Sequence, residues 1–196
     1  MGNVKSAFEK AMERAEKIGA LTPEEKEYLK DQEHLKTLLS EFYGGKLDRD
    51  GLWRKLKGKK PPLLKEAQNY LVDSLGMGST SEELKIRRDG ILAIETLKEK
   101  QHIPAIEQIL DAIEMLLREY QDRKEKIADE LKAEIERNPQ MRLQPVRTPD
   151  GKTAFQATIS VDEALQAKMS EFLAEHESVY SAEFIRMINR LKQEIK

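Results

Sequence analysis

A long apolar stripe in the second half of the chain constrains the fold more than any other feature. Apolar residues recur at alternating steps of three and four from Ile103 to Leu131, with Lys124 as the polar interruption. This spacing keeps one helix face apolar for about eight turns. A lone helix of that length is not stable in water and needs a partner along its length. The residues expected to hold this seam, with two from the final helix, are Ile106, Leu110, Ile113, Leu117, Phe172 and Phe184.

The last part of the chain supplies a partner of matching length. Ser160, followed by acidic residues, is a typical helix start, and apolar residues then continue at helical spacing to Ile195. Ser181 offers a second start, so a break near Ser178 stays open, although the unbroken periodicity favours one bent helix. Residues 103–137 and 160–195 are therefore predicted to form an antiparallel coiled coil.

The residues between these two helices have a different pattern. The residues Pro149-Asp150-Gly151 are typical of a turn, and the segment after them alternates between polar and apolar residues. A β-hairpin is expected at about 141–159. Pro145 would lie at an edge or a bulge, because proline cannot donate to a strand ladder.

The N-terminal half contains shorter amphipathic segments. Thr22-Pro23 and Ser81 each precede acidic residues and predict helix starts. The fold class expected is mainly α: a helical N-terminal module, then a long antiparallel coiled coil or helical bundle with one β-hairpin insertion. The helices are expected at about 4–18, 23–42, 48–57, 61–75 and 81–101. The domains are expected at 1–75 (helical, with a basic loop), 76–80 (hinge) and 81–196 (coiled coil with hairpin).

Composition limits the function classes. Charged residues make up 36% of the 196 residues, aromatic residues 6%, and the net charge is −2, which is typical of solvent-exposed helices. Cysteine is absent, so disulfides, thiolate zinc sites and cysteine nucleophiles are excluded. The sequence contains no long apolar run and opens without a signal-peptide pattern. A cytoplasmic protein without membrane contact is expected.

The candidate motifs for catalysis or cofactors are weak. Glu99-x-x-His102 has metal-pair spacing but occurs once, whereas a di-iron bundle needs it twice. His34 and His176 are isolated. Gly76-x-Gly78 precedes a helix, but no strand comes before it and no Gly-Lys-Ser follows, so a phosphate loop is not indicated. We expect no metal, no cofactor and no enzyme activity.

A basic segment supports a different class of function. Residues 46–65 contain eight Lys or Arg and two Asp, a net +6, together with the only tryptophan. Such a segment can contact phosphates and stack a base. The alternative is a short helix anchored by Leu52, Trp53 and Leu56, with solvated lysines. The candidate nucleic-acid contacts are Trp53, Arg54, Lys55, Lys57, Lys59 and Lys60.

Two resemblances add context. Residues 4–15, VKSAFEKAMERA, resemble the start of some uncharacterised bacterial helical proteins, which implies no activity. Residues 103–195 resemble the helix–hairpin–helix layout of a prefoldin-type chaperone subunit. The function expected is non-enzymatic protein–protein association, as a scaffold, adaptor or homo-oligomer. The alternatives are a nucleic-acid-associated protein using residues 46–65 and a holdase-like chaperone.

Overall fold

The computed structural model describes residues 23–147, 149–151, 153–157 and 159–195, with side chains from residue 30 onward except 156 and 157. The predicted helix at 4–18 lies outside these residues. The described part is a helical bundle with one β-hairpin, which confirms the fold class. Its elements are α1 (Pro23–Tyr43), α2 (Arg49–Leu56), α3 (Pro61–Asp73), α4 (Ser81–Glu95), α5 (Ile103–Arg137), β1 (Leu143–Arg147), β2 (Thr153–Ala157) and α6 (Val161–Glu194).

The two longest helices pack against each other as an antiparallel pair. Helix α5 has 35 residues and α6 has 34, and the start of α5 lies beside the end of α6, where His102 contacts Glu194. Helix α6 is continuous, so no break occurs near Ser178. The coiled-coil character of this pair stays a prediction.

The predicted hairpin joins the far ends of these helices. A short 3-10 turn, Pro139–Arg142, leads from α5 into β1. Strands β1 and β2 form a two-stranded antiparallel sheet in which Pro145 pairs with Phe155. In a two-stranded sheet each strand has one unpaired edge.

One hydrophobic cluster contains buried side chains from all six described helices. It includes Phe42 and Leu71 from before residues 76–80, and Ile91 and Leu110 from after them. Gly90 lets α1, α3 and α4 approach closely, because a Cβ there would lie 2.8 Å from the Phe42 ring and 3.0 Å from a Leu71 methyl group. Both predicted modules contribute to this core, and the domain division at 76–80 stays a prediction.

The main cluster covers only part of the long helix pair. It ends at Leu117 on α5 and at Phe184 on α6. We call residues 30–120 and 181–195 the base, and residues 121–180 the arm. The Tyr120 and Tyr180 rings meet at this boundary, with centroids 5.2 Å apart. Within the described side chains of the arm, only Ile135 and Ala164 are buried.

Helix α4 ends at Glu95, six residues before the predicted end near Gln101. The Thr96 hydroxyl donates to the Ala93 carbonyl oxygen at 2.7 Å, and the Gln101 amide donates to the Thr96 carbonyl oxygen at 3.2 Å. The first bond satisfies the Ala93 carbonyl group, one of the last four of the helix, and the second lies in the loop that follows. Among the described helices, none is both long enough and apolar enough to cross a membrane.

Candidate protein-binding surfaces

The hairpin at the end of the arm displays apolar side chains to solvent. Phe155 is 69% exposed and Val146 is 39% exposed. Strand β1 contains Pro145, which has no N–H group, whereas β2 contains no proline. The open edge of β2 therefore has the N–H and C=O groups that another strand requires.

Two hydrogen bonds fix the hairpin where it joins the helix pair. The Arg142 Nε donates to the Ile159 carbonyl oxygen at 2.9 Å, which links the two ends of the hairpin. Ser160 caps α6, and its backbone N–H donates to the Glu163 carboxylate at 2.7 Å. That backbone hydrogen bond lowers the pKa of Glu163. The two ends of the hairpin are therefore held in place, while its apolar side chains remain accessible.

The structure separates the predicted seam residues into two groups. Five of them, from Ile106 to Leu117 on α5 and Phe184 on α6, are buried in the base. Phe172 lies in the arm, is half-buried and stacks on His176, with ring centroids 4.3 Å apart. The His176 Nδ1 lies 3.0 Å from the Phe172 carbonyl oxygen. The seam is therefore part of a multilayer core in the base, whereas in the arm the described elements give each long helix one α-helical partner.

A second apolar surface lies where the arm meets the base. It is an open groove of about 850 Å³ whose apolar lining includes Leu116 and Val179, while Glu119, Arg123 and Glu183 line its polar parts. Val179 is 71% exposed. This groove and the hairpin are alternative places for contact with another chain.

The predicted nucleic-acid residues differ in exposure and in the contacts that they make. Trp53 is half-buried, and its Nε1 donates to the Thr96 hydroxyl oxygen at 3.1 Å. The Lys57 ammonium lies over the Trp53 ring, 4.9 Å from its centroid, and Lys59 pairs with Asp31 at 3.0 Å. Exposed cations from the same prediction are Arg54, Lys55, Lys57 and Lys60. A base could stack on Trp53 only at a face that Lys57 does not cover, and nucleic-acid contact stays a prediction.

The fold forms a further groove that the sequence reasoning missed. It joins residues 59–65, at the start of α3, to residues 97–100, in the loop after α4. Lys98 and Lys100, which flank Glu99 next to Leu97, form a short basic segment that is visible in the sequence. Only the fold brings this segment beside residues 59–65. We call this the lysine groove, and it is lined by Lys59, Pro61, Pro62, Leu64, Lys65, Leu97, Lys98, Glu99 and Lys100.

A buried polar network lies beneath the loop that follows α4. Glu95 is fully buried, and its Oε2 accepts from the Gln68 amide at 2.9 Å and lies 3.0 Å from the Lys98 Nζ. Its Oε1 accepts from the His102 backbone N–H at 2.9 Å. Lys98 also donates to the Ile195 carbonyl oxygen at 3.1 Å. This network joins α3 and α4 to the start of α5 and the end of α6.

The metal-pair motif does not lie on a helix. Glu99 and His102 are in the loop between α4 and α5, and His102 is the residue before the first turn of α5. Within the part of the chain that the structure describes, no group of three or more His, Cys, Asp and Glu residues is arranged to hold a metal ion.

Comparison with known proteins places most of the chain in a family. A model described as a family of unknown function (DUF6657) matches residues 51–196. This confirms the prediction of an uncharacterised family, although the match begins after residues 4–15, which suggested it. No curated protein and no solved structure matches the chain.

Proposed function

The chain belongs to DUF6657, a family of unknown function, and from its own surfaces we propose that it is a non-enzymatic scaffold that associates with a second copy of itself through the hairpin. The base supplies the stable core, and the arm holds β2 away from it. The nucleic-acid and holdase-like alternatives stay predictions from the sequence.

The exposure of Phe155 on an unpaired strand edge carries this proposal. Phe155 is the central residue of β2, and 69% of its surface is open to solvent. A two-stranded sheet is marginally stable in water. Pairing with another strand would satisfy the open N–H and C=O groups and cover the ring.

A symmetric arrangement follows from the position of Phe155. Two copies related by a two-fold axis present the same surface to each other. If two β2 strands pair in an antiparallel orientation about their centres, Phe155 lies opposite Phe155 of the second copy. Such an aromatic cross-strand pair contributes about 0.5–1.5 kcal/mol beyond area burial. The result would be a four-stranded sheet with an arm on each side.

Light scattering after size exclusion, at two concentrations about tenfold apart, tests the proposal. The 22.6 kDa chain is expected to give the mass of a dimer at the higher concentration. Phe155→Ser should shift the mass towards the monomer, because it removes the apolar part of the contact. Met115→Ser is the matched control, since Met115 is equally exposed but lies on the base side of α5.

Two outcomes contradict this proposal. A wild-type monomer at both concentrations means that the hairpin does not mediate self-association. A dimer that survives Phe155→Ser but is lost in Val179→Ser places the contact in the groove at the arm–base boundary instead.

A further inference from the structure

The lysine groove combines an apolar floor with a cationic rim. Leu64 is buried, Leu97 is half-buried, and Pro61 and Pro62 are exposed at the start of α3. The groove has a volume of about 750 Å³ and is open to solvent. Apolar residues beneath flexible cations suit a ligand with one apolar and one acidic face.

The charge of the rim is only partly neutralised by the protein. Lys59 pairs with Asp31, and Lys98 pairs with Glu95. Lys65 and Lys100 are exposed, and neither forms an ion pair with a described side chain. Glu99 is the single carboxylate in the lining. The rim therefore offers two cations for a ligand.

The adjacent helix end adds to this positive potential. Helix α3 begins at Pro61 without a side-chain cap and without an acidic residue in its first turn. The positive end of its dipole is therefore not compensated locally. Residues 46–65 carry +6, whereas the whole chain carries −2. This part of the chain thus attracts an acidic ligand although the net charge of the protein is negative.

We propose that the lysine groove binds an acidic amphipathic helix of a partner protein. Its carboxylates would pair with Lys65 and Lys100, and its apolar face would cover Leu97 and the two prolines. A nucleic-acid backbone would use the cations but would leave the apolar floor uncovered. The chemistry of the groove therefore favours a protein helix over a nucleic acid.

This site is independent of the hairpin. The lysine groove includes Lys100, just before α5, whereas the hairpin follows the end of α5. A helix of 35 residues spans about 50 Å. A partner helix in the groove would leave β2 open for pairing, so one contact can fail experimentally without the other.

Fluorescence anisotropy with the full chain and a synthetic labelled peptide tests the proposal. The probe is a helical peptide of about 16 residues with Leu at i, i+3, i+4 and i+7 spacing and Glu on the other faces. One control peptide has Lys in place of Glu, and a second has Gln in place of Leu. Only the acidic amphipathic peptide is expected to bind tightly, and binding should weaken as salt rises to about 0.5 M. Trp53 emission gives a second signal, since Trp53 bonds to Thr96 beside the groove.

Matched charge reversals locate the binding. Lys65→Glu combined with Lys100→Glu should weaken peptide binding about tenfold or more, because two ion pairs become repulsive contacts. Lys126→Glu combined with Lys132→Glu makes the same charge change at exposed positions on the arm and should change binding less than about twofold. Unchanged thermal melting of both variants would show that they fold.

Three results would overturn the proposal. Equal loss of binding in both double variants would indicate general electrostatic attraction. Equal binding of the peptide that lacks Leu would mean that the apolar floor is not used. Binding of a single-stranded oligonucleotide that depends on Lys65 and Lys100, without binding of the acidic peptide, would assign the groove to nucleic acid.

Discussion

The two halves of helix α5 have the same apolar repeat but different environments. Ile113 in the base is fully buried, whereas Ile127, two heptads later on the same face, is half-buried in the arm. In the base, α1, α3 and α4 add layers around the long helix pair. In the arm, α6 is the one α-helix among the described elements that packs along α5. The repeat thus indicates that a helix needs a partner, but not how many neighbours will cover it. We expect the base to determine stability and the arm to provide surface.

The largest difference between base and arm is expected when the same isoleucine side chain is shortened to alanine in each half of α5 and the free energy of unfolding is compared. Ile113→Ala leaves a cavity in a closed core and should lower the free energy of unfolding by about 3 kcal/mol or more. Ile127→Ala should lower it by about 1 kcal/mol or less, because solvent already reaches this side chain. Urea unfolding followed by circular dichroism measures both values. Equal losses would contradict the comparison.

A matched pair of Glu–Lys contacts tests the electrostatic difference. Glu95–Lys98 in the base and Lys168–Glu171 in the arm are both separated by three residues, but the first pair is largely buried and the second is exposed. Glu95→Gln should lower the free energy of unfolding by about 3 kcal/mol, since Lys98 loses its buried partner. Glu171→Gln should change it by less than about 1 kcal/mol. A small effect of Glu95→Gln would show that the buried network does not stabilise the base.

Two glycines distinguish tight packing from an open connection. At Gly90 a Cβ would meet the Phe42 ring at 2.8 Å, whereas a Cβ at Gly78 would have no atom within 4 Å apart from those of its chain neighbours. Gly90→Ala should lower the melting temperature by forcing neighbouring helices apart, at a free-energy cost of about 1–3 kcal/mol. Gly78→Ala should leave it unchanged or raise it slightly. A marked loss of stability in Gly78→Ala would indicate that the 76–80 connection needs the backbone freedom of glycine.

The smallest expected effects come from two capping boxes, in which a cap side chain and a Glu three residues later bond to each other's backbone N–H groups: Thr80 with Glu83 at the start of α4, and Ser160 with Glu163 at the start of α6. Backbone N–H groups of Thr80 and Ser160 are the main cause of the lowered pKa values of Glu83 and Glu163. A lowered folded-state pKa stabilises the protein above the unfolded pKa of about 4.5, and this stabilisation is lost as pH falls through the folded value.

Melting curves between about pH 6 and pH 3 measure this acid dependence. Glu83→Gln should flatten the pH dependence of the main transition, because Glu83 caps a helix of the base. Glu163→Gln should leave that transition nearly unchanged and affect only the local stability of the arm. An equal effect of the two variants would mean that base and arm unfold as one unit.

The helix starts and the hairpin could be predicted because their signals are local. Asp48 and Ser160 each accept a hydrogen bond from a backbone N–H in the first turn of a helix, and turn residues precede β2. At α4 the cap is Thr80, one residue before the predicted Ser81. The end of α4 was predicted wrongly because the apolar pattern continues to Leu97. The Thr96 hydroxyl bond that accompanies the end of the helix depends on the rotamer of that side chain.

The lysine groove and the depth of the core could not be read from local patterns. Lys65 and Lys100 are far apart in sequence, and only the packing of α3 against α4 and the loop that follows brings them to one groove. Similarly, Trp53 reads as an accessible aromatic in a basic segment, but Thr96 and Lys57 both contact it in the fold. Such contacts depend on tertiary packing, which helical periodicity does not specify.

Hydrogen exchange along α5 tests the central contrast most directly, because it measures local stability within one continuous helix. The amides of residues 106–120 are expected to exchange slowly, at rates set by global unfolding, and those of residues 121–137 to exchange orders of magnitude faster through local opening of the arm. Uniform protection from Ile103 to Arg137 would contradict the account, since it would show that the arm is as stable as the base.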